Sequence, residues 1–451
     1  MTTVKIDLSQ TIGRIKPMHA VGQPPMAGGF KSLDLSPINF LKEANIPYSR
    51  LHDVGGAFGG NRFVDIPNLF RNFDADETDP ANYDFAFTDY LLKGMEEYGV
   101  KPIFRLGVTI ENQFHIKAYH IYPPKDYNKW ARICEHVIRH YNEGWADGFH
   151  MNIEYWEIWN EPDNGVPGEN QMWLGTNEQF YELYDVAAKH LKACFGDTIK
   201  VGGYGACCPR GVFHDCEKYG VDPSVAGALI NPTKIGYFRM EFLEGFFAYI
   251  KEHNSPIDFF SWHSYATVEQ TVEISKFMGR FLTARGYGKL ETMLNEWNGP
   301  HAEIQHGTSY ASAQVAAMMC ALQNCPTDML CYYDARLNAG RYAGFFQPYA
   351  AIPVSTYYSF KAFGKLYAMG TQVLCESDTY KLYAVAAIGE NTAGALITNT
   401  TGETQEVTTT LRGGKVYLID EDHFISLTDW DSENFTLLPD QTVYIEKEGS
   451  N

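Results

Sequence analysis

The chain has 451 residues, with 36 lysines and arginines against 55 aspartates and glutamates, a formal net charge of −19, and 45% hydrophobic residues. The acidic balance argues against a nucleic-acid-binding protein, which needs clustered Lys and Arg to neutralise phosphates, and the apolar content is enough for a large packed core. No apolar run approaches the ~20 residues of a membrane helix, and Met1 to Asp7 contains no apolar signal core, so a cytoplasmic protein without membrane contact is expected.

In chain order, Val4–Leu8 reads as a first strand. From residue 15 onward short apolar runs alternate with longer helical patterns. The expected strands are Met18–Gly22, Tyr48–Leu51, Pro102–Gly107, Tyr155–Asn160, Ile199–Tyr204, Phe259–His263, Glu291–Glu296 and Met329–Tyr333. They are rich in aromatic and β-branched residues and bounded by Gly, Pro, Asn or Asp. Between them Phe87, Leu91, Met95 and Tyr98 fall at helical spacing, as do Trp130, Ile133, Val137, Ile138 and Tyr141. Thr176 with Gln179 reads as a capping box opening the run Phe180, Leu183, Tyr184, Ala187, Leu191. Eight strands alternating with helices predict an α/β fold, a (β/α)8 TIM barrel over residues 15–365, because each parallel crossover needs a connecting helix. A doubly wound open sheet is the alternative. After Gly370, the segments Tyr380–Ala387, Ala393–Asn399, Val407–Leu411, Val416–Ile419 and Thr442–Glu446 follow one another without a helix. They predict a C-terminal antiparallel β-sandwich over 366–451, completed by the N-terminal strand within 1–14. No low-complexity linker separates the two domains, so they are expected to pack together.

Nine cysteines are scattered with no Cys-x-x-Cys pair, which predicts reduced thiols and no disulfide framework. Cys207, Cys208, His214 and Cys216 are close in sequence, but their spacing matches no standard zinc pattern, and no metal is expected there.

In a barrel of this kind chemistry sits at the C-terminal ends of the strands. Two expected strands end in a carboxylate beside an amide: Tyr155-Trp156-Glu157-Ile158-Trp159-Asn160-Glu161-Pro162-Asp163, and Thr292-Met293-Leu294-Asn295-Glu296-Trp297-Asn298-Gly299. A Glu after an apolar strand is costly to bury unless it is paired or used. Two of them facing each other across a barrel mouth form the arrangement that glycosidic bond cleavage needs, one a protonated acid and the other an ionised nucleophile or base.

Trp159-Asn160-Glu161-Pro162 after the fourth strand, with Glu296 on the seventh, resembles the clan A glycoside hydrolases, and more closely glycoside hydrolase family 39, the β-xylosidase and α-L-iduronidase family. Similar too are Arg50-Leu51-His52 on the second strand, His263-Ser264-Tyr265 on the sixth, Asn82-Tyr83-Asp84-Phe85 before a helix, and the trailing β-sandwich. The resemblance spans nearly the whole chain. It implies that Glu161 is the acid/base and Glu296 the nucleophile of a double displacement with retention. Asn160 would bond the sugar 2-hydroxyl, Tyr265 would help keep the nucleophile ionised, His52 and His263 would grip sugar hydroxyls, and Trp297 would supply an apolar wall.

Other readings of these residues stand beside that one. Glu161 and Glu296 could be structural carboxylates, Glu161 as a helix-start residue beside Pro162. Glu157, four residues before Glu161, is expected to point into the barrel and pair with Arg50 or Arg105. His52 and His263 have buried hydrogen-bonding roles as the competing reading. Trp156, Trp159 and Trp262 belong to core or subsite wall. Asp53 and Asp334 fall near strand ends as further binding residues. The chain departs from the family's β-xylosidases where a third-strand Glu is replaced within Phe104-Arg105-Leu106-Gly107, and where Tyr333-Asp334-Ala335-Arg336-Leu337-Asn338 keeps the Asp but loses an acidic pair. Both changes add a cation, Arg105 and Arg336, for Glu157, Asp334 or an acidic sugar.

The resemblance therefore implies a retaining, exo-acting, β-xylosidase-like glycoside hydrolase. Its partner would be a small oligosaccharide or glycoside, and it would need no cofactor or metal. Arabinosidase, β-glucosidase or galactosidase, or uronidase specificity fits the same scaffold. A non-catalytic carbohydrate-binding protein and a metal-assisted hydrolase built on His52, Asp53 and His263 are the readings from other classes. The sequence does not fix the oligomeric state and is compatible with a homo-oligomer.

Overall fold

Ala20–Gly22, Tyr48–Arg50, Lys101–Leu106, Tyr155–Ile158, Lys200–Ala206, Phe259–Ser264, Glu291–Trp297 and Met329–Tyr332 are the eight strands of a closed parallel barrel. The computed structural model describes residues 2–29, 32–56, 62–109, 121–300, 302–337 and 342–449; Asn338 lies outside them. Each strand pairs in parallel with the next, and Met329–Tyr332 closes the ring on Ala20–Gly22.

The pleat sorts each strand into two faces. Inward, Ala20, Ile103, Tyr155, Phe259, Met293, Met329 and Cys331 form an apolar floor. Two residues further along the same strands come Glu157, Ser261 and Asn295, a buried polar layer above that floor. Outward, Trp156, Ile158, Phe260, Trp262 and Leu294 join the main core under the helices. Those helices include Ala86–Glu97, Tyr127–Glu143, Asn177–Phe195, Lys234–His253, Val268–Ala284, Ser309–Gln323 and Ser355–Met369. Thr176 and Gln179 form the expected capping box, and Thr267 with Gln270 forms a second. The last barrel helix runs through residue 365 to Met369, so the chain passes into the accessory domain at Gly370.

The fourth strand ends at Ile158, before the expected Asn160. Trp159 and Glu161 take left-handed backbone angles (φ 68° and 46°), which removes the chain from the ladder. Such angles cost a non-glycine residue about 1–3 kcal/mol and persist only where neighbours enforce them. Here Trp159 donates its backbone N–H to Leu106 and its indole N–H to Met172, both to carbonyl oxygens. A Cβ at Gly107 would come within 2.9 Å of the Trp159 Cα, so the third strand needs glycine there.

The accessory domain holds three strands beyond those expected, Thr371–Ser377, Phe424–Leu427 and Asn434–Leu437. Thr2–Arg14 enters the same sheet, antiparallel to Thr371–Ser377 and parallel to Gln405–Thr409. The nine strands are continuously hydrogen-bonded, with Phe424–Leu427 at one end and Asn434–Leu437 at the other. Val416 and Leu418 near one end share a core with Val407, Phe435 and Leu437 near the other, so the sheet curls over itself like a sandwich. It packs on the barrel: Lys365 reaches Glu446 at 3.2 Å, and Gln372 bonds Gln323 and Asn324.

Candidate active site

Glu161 and Glu296 face each other at the C-terminal mouth of the barrel, and together with His263 they offer donor atoms that lie within 4.8 Å of one another. Both are nearly buried, at 6% exposure. Glu296 reaches this position through an irregularity in the seventh strand, where the register shifts after Trp262 and Leu294 and sets Glu296 opposite His263. Consecutive residues Asn295 and Glu296 thereby both face inward, since Asn295 bonds the inward Glu157.

Glu296 is surrounded by donors. Tyr265 donates its hydroxyl to Oε1 at 2.5 Å, and Arg50 donates Nη1–H to Oε2 at 3.2 Å. His52 Nε2 lies 3.3 Å from Oε2, but only 2.8 Å from Asp53 Oδ2, so Asp53 is the nearer acceptor. Burial first, then the adjacent Glu296, pushes the Tyr265 phenol well above its ordinary value, so it remains a donor.

Glu161 has different company. His263 Nδ1 lies 2.7 Å from its Oε1, and Asn164 donates to its Oε2 at 2.7 Å. Burial raises this carboxyl, but the hydrogen bond and charge of His263, with Arg239 beyond, outweigh burial and hold it below the usual range.

Beneath the two carboxylates Arg50 ties the layers together. Its Nε donates to Glu157 at 2.7 Å, its Nη2 to Asn160 Oδ1 at 2.6 Å, and its Nη1 to Glu296. Glu157 also accepts from Ser261 and Asn295, both at 2.6 Å. Burial alone would raise Glu157, yet Arg50 and these donors keep it below the usual carboxylate range. Arg50 occupies the amide oxygen of Asn160, and among the described residues neither its buried Nδ2 nor His52 Nδ1 has a hydrogen-bond partner. Buried polar atoms are seldom left so; Asn160 is linked to Glu296 through Arg50, and His52 Nε2 lies 3.3 Å from Glu296.

The structure brings Glu161, Glu296, Asn160, His52, His263 and Tyr265 together, and gives two other expected binding residues different surroundings. Trp297 is 1% exposed, with its ring 5.0 Å from Tyr332 and 6.4 Å from Phe360, in the layer between barrel and helices. The pleat sends it outward because its neighbour Glu296 faces in, so it forms core and not a sugar-facing wall. Asp334 is engaged by Arg336, at 2.7 Å to Nη2 and 2.9 Å to Nε, beyond Tyr333, whose ring lies 5.8 Å from His52. His263 spends its Nδ1 on Glu161, and its Nε2 lies by Gly205, where a Cβ would approach to 3.1 Å. That buried Nε2 has no hydrogen-bond partner among the described residues. Arg105 is wholly buried with no hydrogen-bond partner among the described residues, its nearest charges being Asp53, Arg50 and Asp65. Glu157 pairs with Arg50, one of its two expected partners, while Asn164 and Ser261 are site residues whose roles the sequence left unread. Ser261 is discoverable by period two, since it shares a strand face with His263.

A parallel eight-stranded barrel with a glutamate after strand four and another on strand seven is the architecture of the clan A glycosidases. Among solved structures the chain superposes on a glucosidase from Croceicoccus marinus with a TM-score of 0.74 at 20% identity, covering 99% of this chain and 98% of that one. It superposes on a family 51 α-L-arabinofuranosidase from Bifidobacterium longum with a TM-score of 0.62 at 13% identity, covering 99% of each. At such identities the likeness establishes the fold. In sequence, residues 63–283 match the model for glycosyl hydrolases family 39, a stretch that includes Glu161 and stops before Glu296. The chain is 29% identical over 146 residues to a β-xylosidase of Caldicellulosiruptor saccharolyticus, 31% of this chain and 28% of that protein. It is 24% identical over 219 residues to a β-xylosidase of Geobacillus stearothermophilus, 46% of this chain and 36% of that protein. The match thus spans about a third of the length of these relatives, and the chain resembles glycoside hydrolase family 39 and its β-xylosidases.

Proposed function

We propose that the protein is a retaining, exo-acting glycoside hydrolase that releases a terminal sugar, β-xylose in the first instance, from a small oligosaccharide or glycoside. The observation that carries this reading is the convergence of Glu161 and Glu296 to within 4.8 Å in a donor-lined mouth. That closeness suits direct attack, since retaining enzymes hold their carboxyl groups about 5–5.5 Å apart and inverting ones leave roughly 6.5–9.5 Å for a water.

In the first step Glu296 attacks the anomeric carbon while Glu161, in its protonated form, gives its proton to the departing oxygen. In the second, Glu161 takes a proton from water, which attacks the same carbon and frees Glu296. Arg50 and Tyr265 hold Glu296 as an oriented carboxylate. The unpartnered Nδ2 of Asn160 is a donor for the sugar 2-hydroxyl, a contact that strengthens as the ring gains positive charge. Side chains supply both charges of this mechanism, so it calls on no metal or cofactor.

A neutral sugar is favoured over a uronide. Arg336 is committed to Asp334 and to the Tyr333 hydroxyl, and Arg105 lies buried beside Asp53 and Asp65. The names of the two sequence relatives point to β-xylosides. Hydrolysis of aryl glycosides by the wild type and by Glu296→Gln tests the reading, with β-xyloside, β-glucoside, β-galactoside, arabinosides and a uronide in the panel. Release of the aryl alcohol from the β-xyloside, abolished in the variant, is expected. Turnover that survives in Glu296→Gln would remove Glu296 from the mechanism, and a folded protein silent on every member would remove the activity.

A further inference from the structure

Away from the barrel mouth, three side chains of different chemistry meet between the helices Tyr127–Glu143 and Asn177–Phe195. His190 and Cys194 are four residues apart on the second helix and so share one face. Glu135 comes from the first helix. His190 Nε2 lies 2.6 Å from Glu135 Oε2 and 3.8 Å from Cys194 Sγ, and the three donor atoms are within 4.8 Å of one another.

We propose that Glu135, His190 and Cys194 form a binding site for a borderline-soft divalent cation, zinc above all. The donor set is one oxygen, one imidazole nitrogen and one sulfur, which suits Zn2+ and disfavours Mg2+ or Ca2+. A tetrahedral ion with ligands at about 2.0–2.3 Å sets neighbouring donors roughly 3.4–3.6 Å apart. The nitrogen–sulfur distance is already close to that value, and the oxygen–nitrogen pair opens by under an ångström as the ion replaces the hydrogen bond. His190 is 30% exposed and Glu135 14%, so the ion can enter from solvent and water can fill the fourth position.

The surroundings are those of a supported ligand. Arg139 donates Nε–H to Glu135 Oε1 at 2.8 Å, which fixes the carboxylate and leaves Oε2 for the ion. Binding releases the Cys194 thiol proton and requires neutral His190, so affinity falls in acid. The ion would pin the two helices beneath the third and fourth barrel strands, where it would serve stability and not turnover.

Titration of the reduced full-length protein with ZnCl2 by calorimetry tests this. One equivalent is expected. Since losing even an outer partner typically weakens a metal site about 10–100-fold, His190→Ala and Cys194→Ser should each weaken binding by at least about 100-fold. With CoCl2 in place of zinc, the wild type should show thiolate-to-metal charge-transfer absorption that disappears in Cys194→Ser. That variant keeps the size of the side chain and should melt cooperatively. No zinc uptake by the wild type would overturn the proposal, as would uptake or a cobalt–thiolate band unchanged in Cys194→Ser. Glycoside turnover should be equal in wild type and Cys194→Ser, so failure here leaves the catalytic reading standing.

Discussion

Tyr265 donates its hydroxyl to Oε1 of Glu296 at 2.5 Å, the shortest polar contact of Glu161 or Glu296 among the described residues. A hydrogen bond to a charged group contributes about 1.5–3 kcal/mol. Tyr265→Phe should therefore lower kcat/KM by about 10- to 100-fold on an activated aryl glycoside, with the loss in kcat more than in KM. Steady-state kinetics give the answer, and an unchanged kcat would show that the contact does not serve the nucleophile.

The two carboxylates should be separable by chemistry. In Glu161→Ala an aryl glycoside with a good leaving group still glycosylates Glu296, but no base activates water for release. Added azide should then accelerate turnover and give a glycosyl azide of the same anomeric configuration as the substrate, read by proton NMR. An inverted azide would contradict double displacement through Glu296.

His263 lowers the Glu161 pKa, and burial acts in the opposite direction. Removing the imidazole in His263→Ala takes away the largest influence that opposes burial and leaves the weaker one of Arg239, so the carboxyl rises and stays protonated to higher pH. The basic limb of the kcat/KM profile should move upward relative to wild type. A limb that stays in place, or moves down, would mean that His263 does not set the proton on Glu161.

Arg50 and Glu157 form an ion pair at 2.7 Å with both side chains wholly buried. Breaking such a pair from one side costs about 3–5 kcal/mol because the remaining charge is stranded. Arg50→Met should lose that much in urea unfolding at neutral pH. Glu157 is below its ordinary value in the folded wild type, so its contribution is complete above the unfolded value and is lost as the pH falls through the folded one. In the variant burial favours the protonated carboxyl, so the deficit should shrink on acidification. A deficit independent of pH would point to lost packing alone.

The barrel was legible because its strands are buried on both faces and read as short apolar runs, each in phase with an amphipathic helix. The ends of those runs carry the site, so Glu161 and Glu296 could be placed by position as well as by motif. What the sequence hid was partnership across long separations. The Arg50–Glu157 pair was foreseen from strand period, but Arg50 also bonds Asn160 and Glu296, 110 and 246 positions away, and no local pattern encodes that. Trp297 was misread for a local reason: in an extended strand it follows a functional glutamate, and only the inward irregularity at Asn295–Glu296 decides which face it takes. In the accessory sheet Phe424–Leu427 escaped notice because it is an edge strand with no buried alternation.

The strand Thr2–Arg14 lies inside the accessory sheet, with Ile6 bonded through its backbone N–H to Thr410, 404 residues away. At roughly 5–20 residues per second of synthesis, this first segment leaves the ribosome on the order of 20–80 s before its partner exists. Its register cannot be set in the meantime, and the barrel must close between two halves of an unfinished sheet. Completion of the sheet then fastens Thr2–Arg14 to Gln405–Thr409, like a clasp on a ring already formed. A nascent chain arrested short of Thr410 should expose that strand to protease while the finished protein shields it.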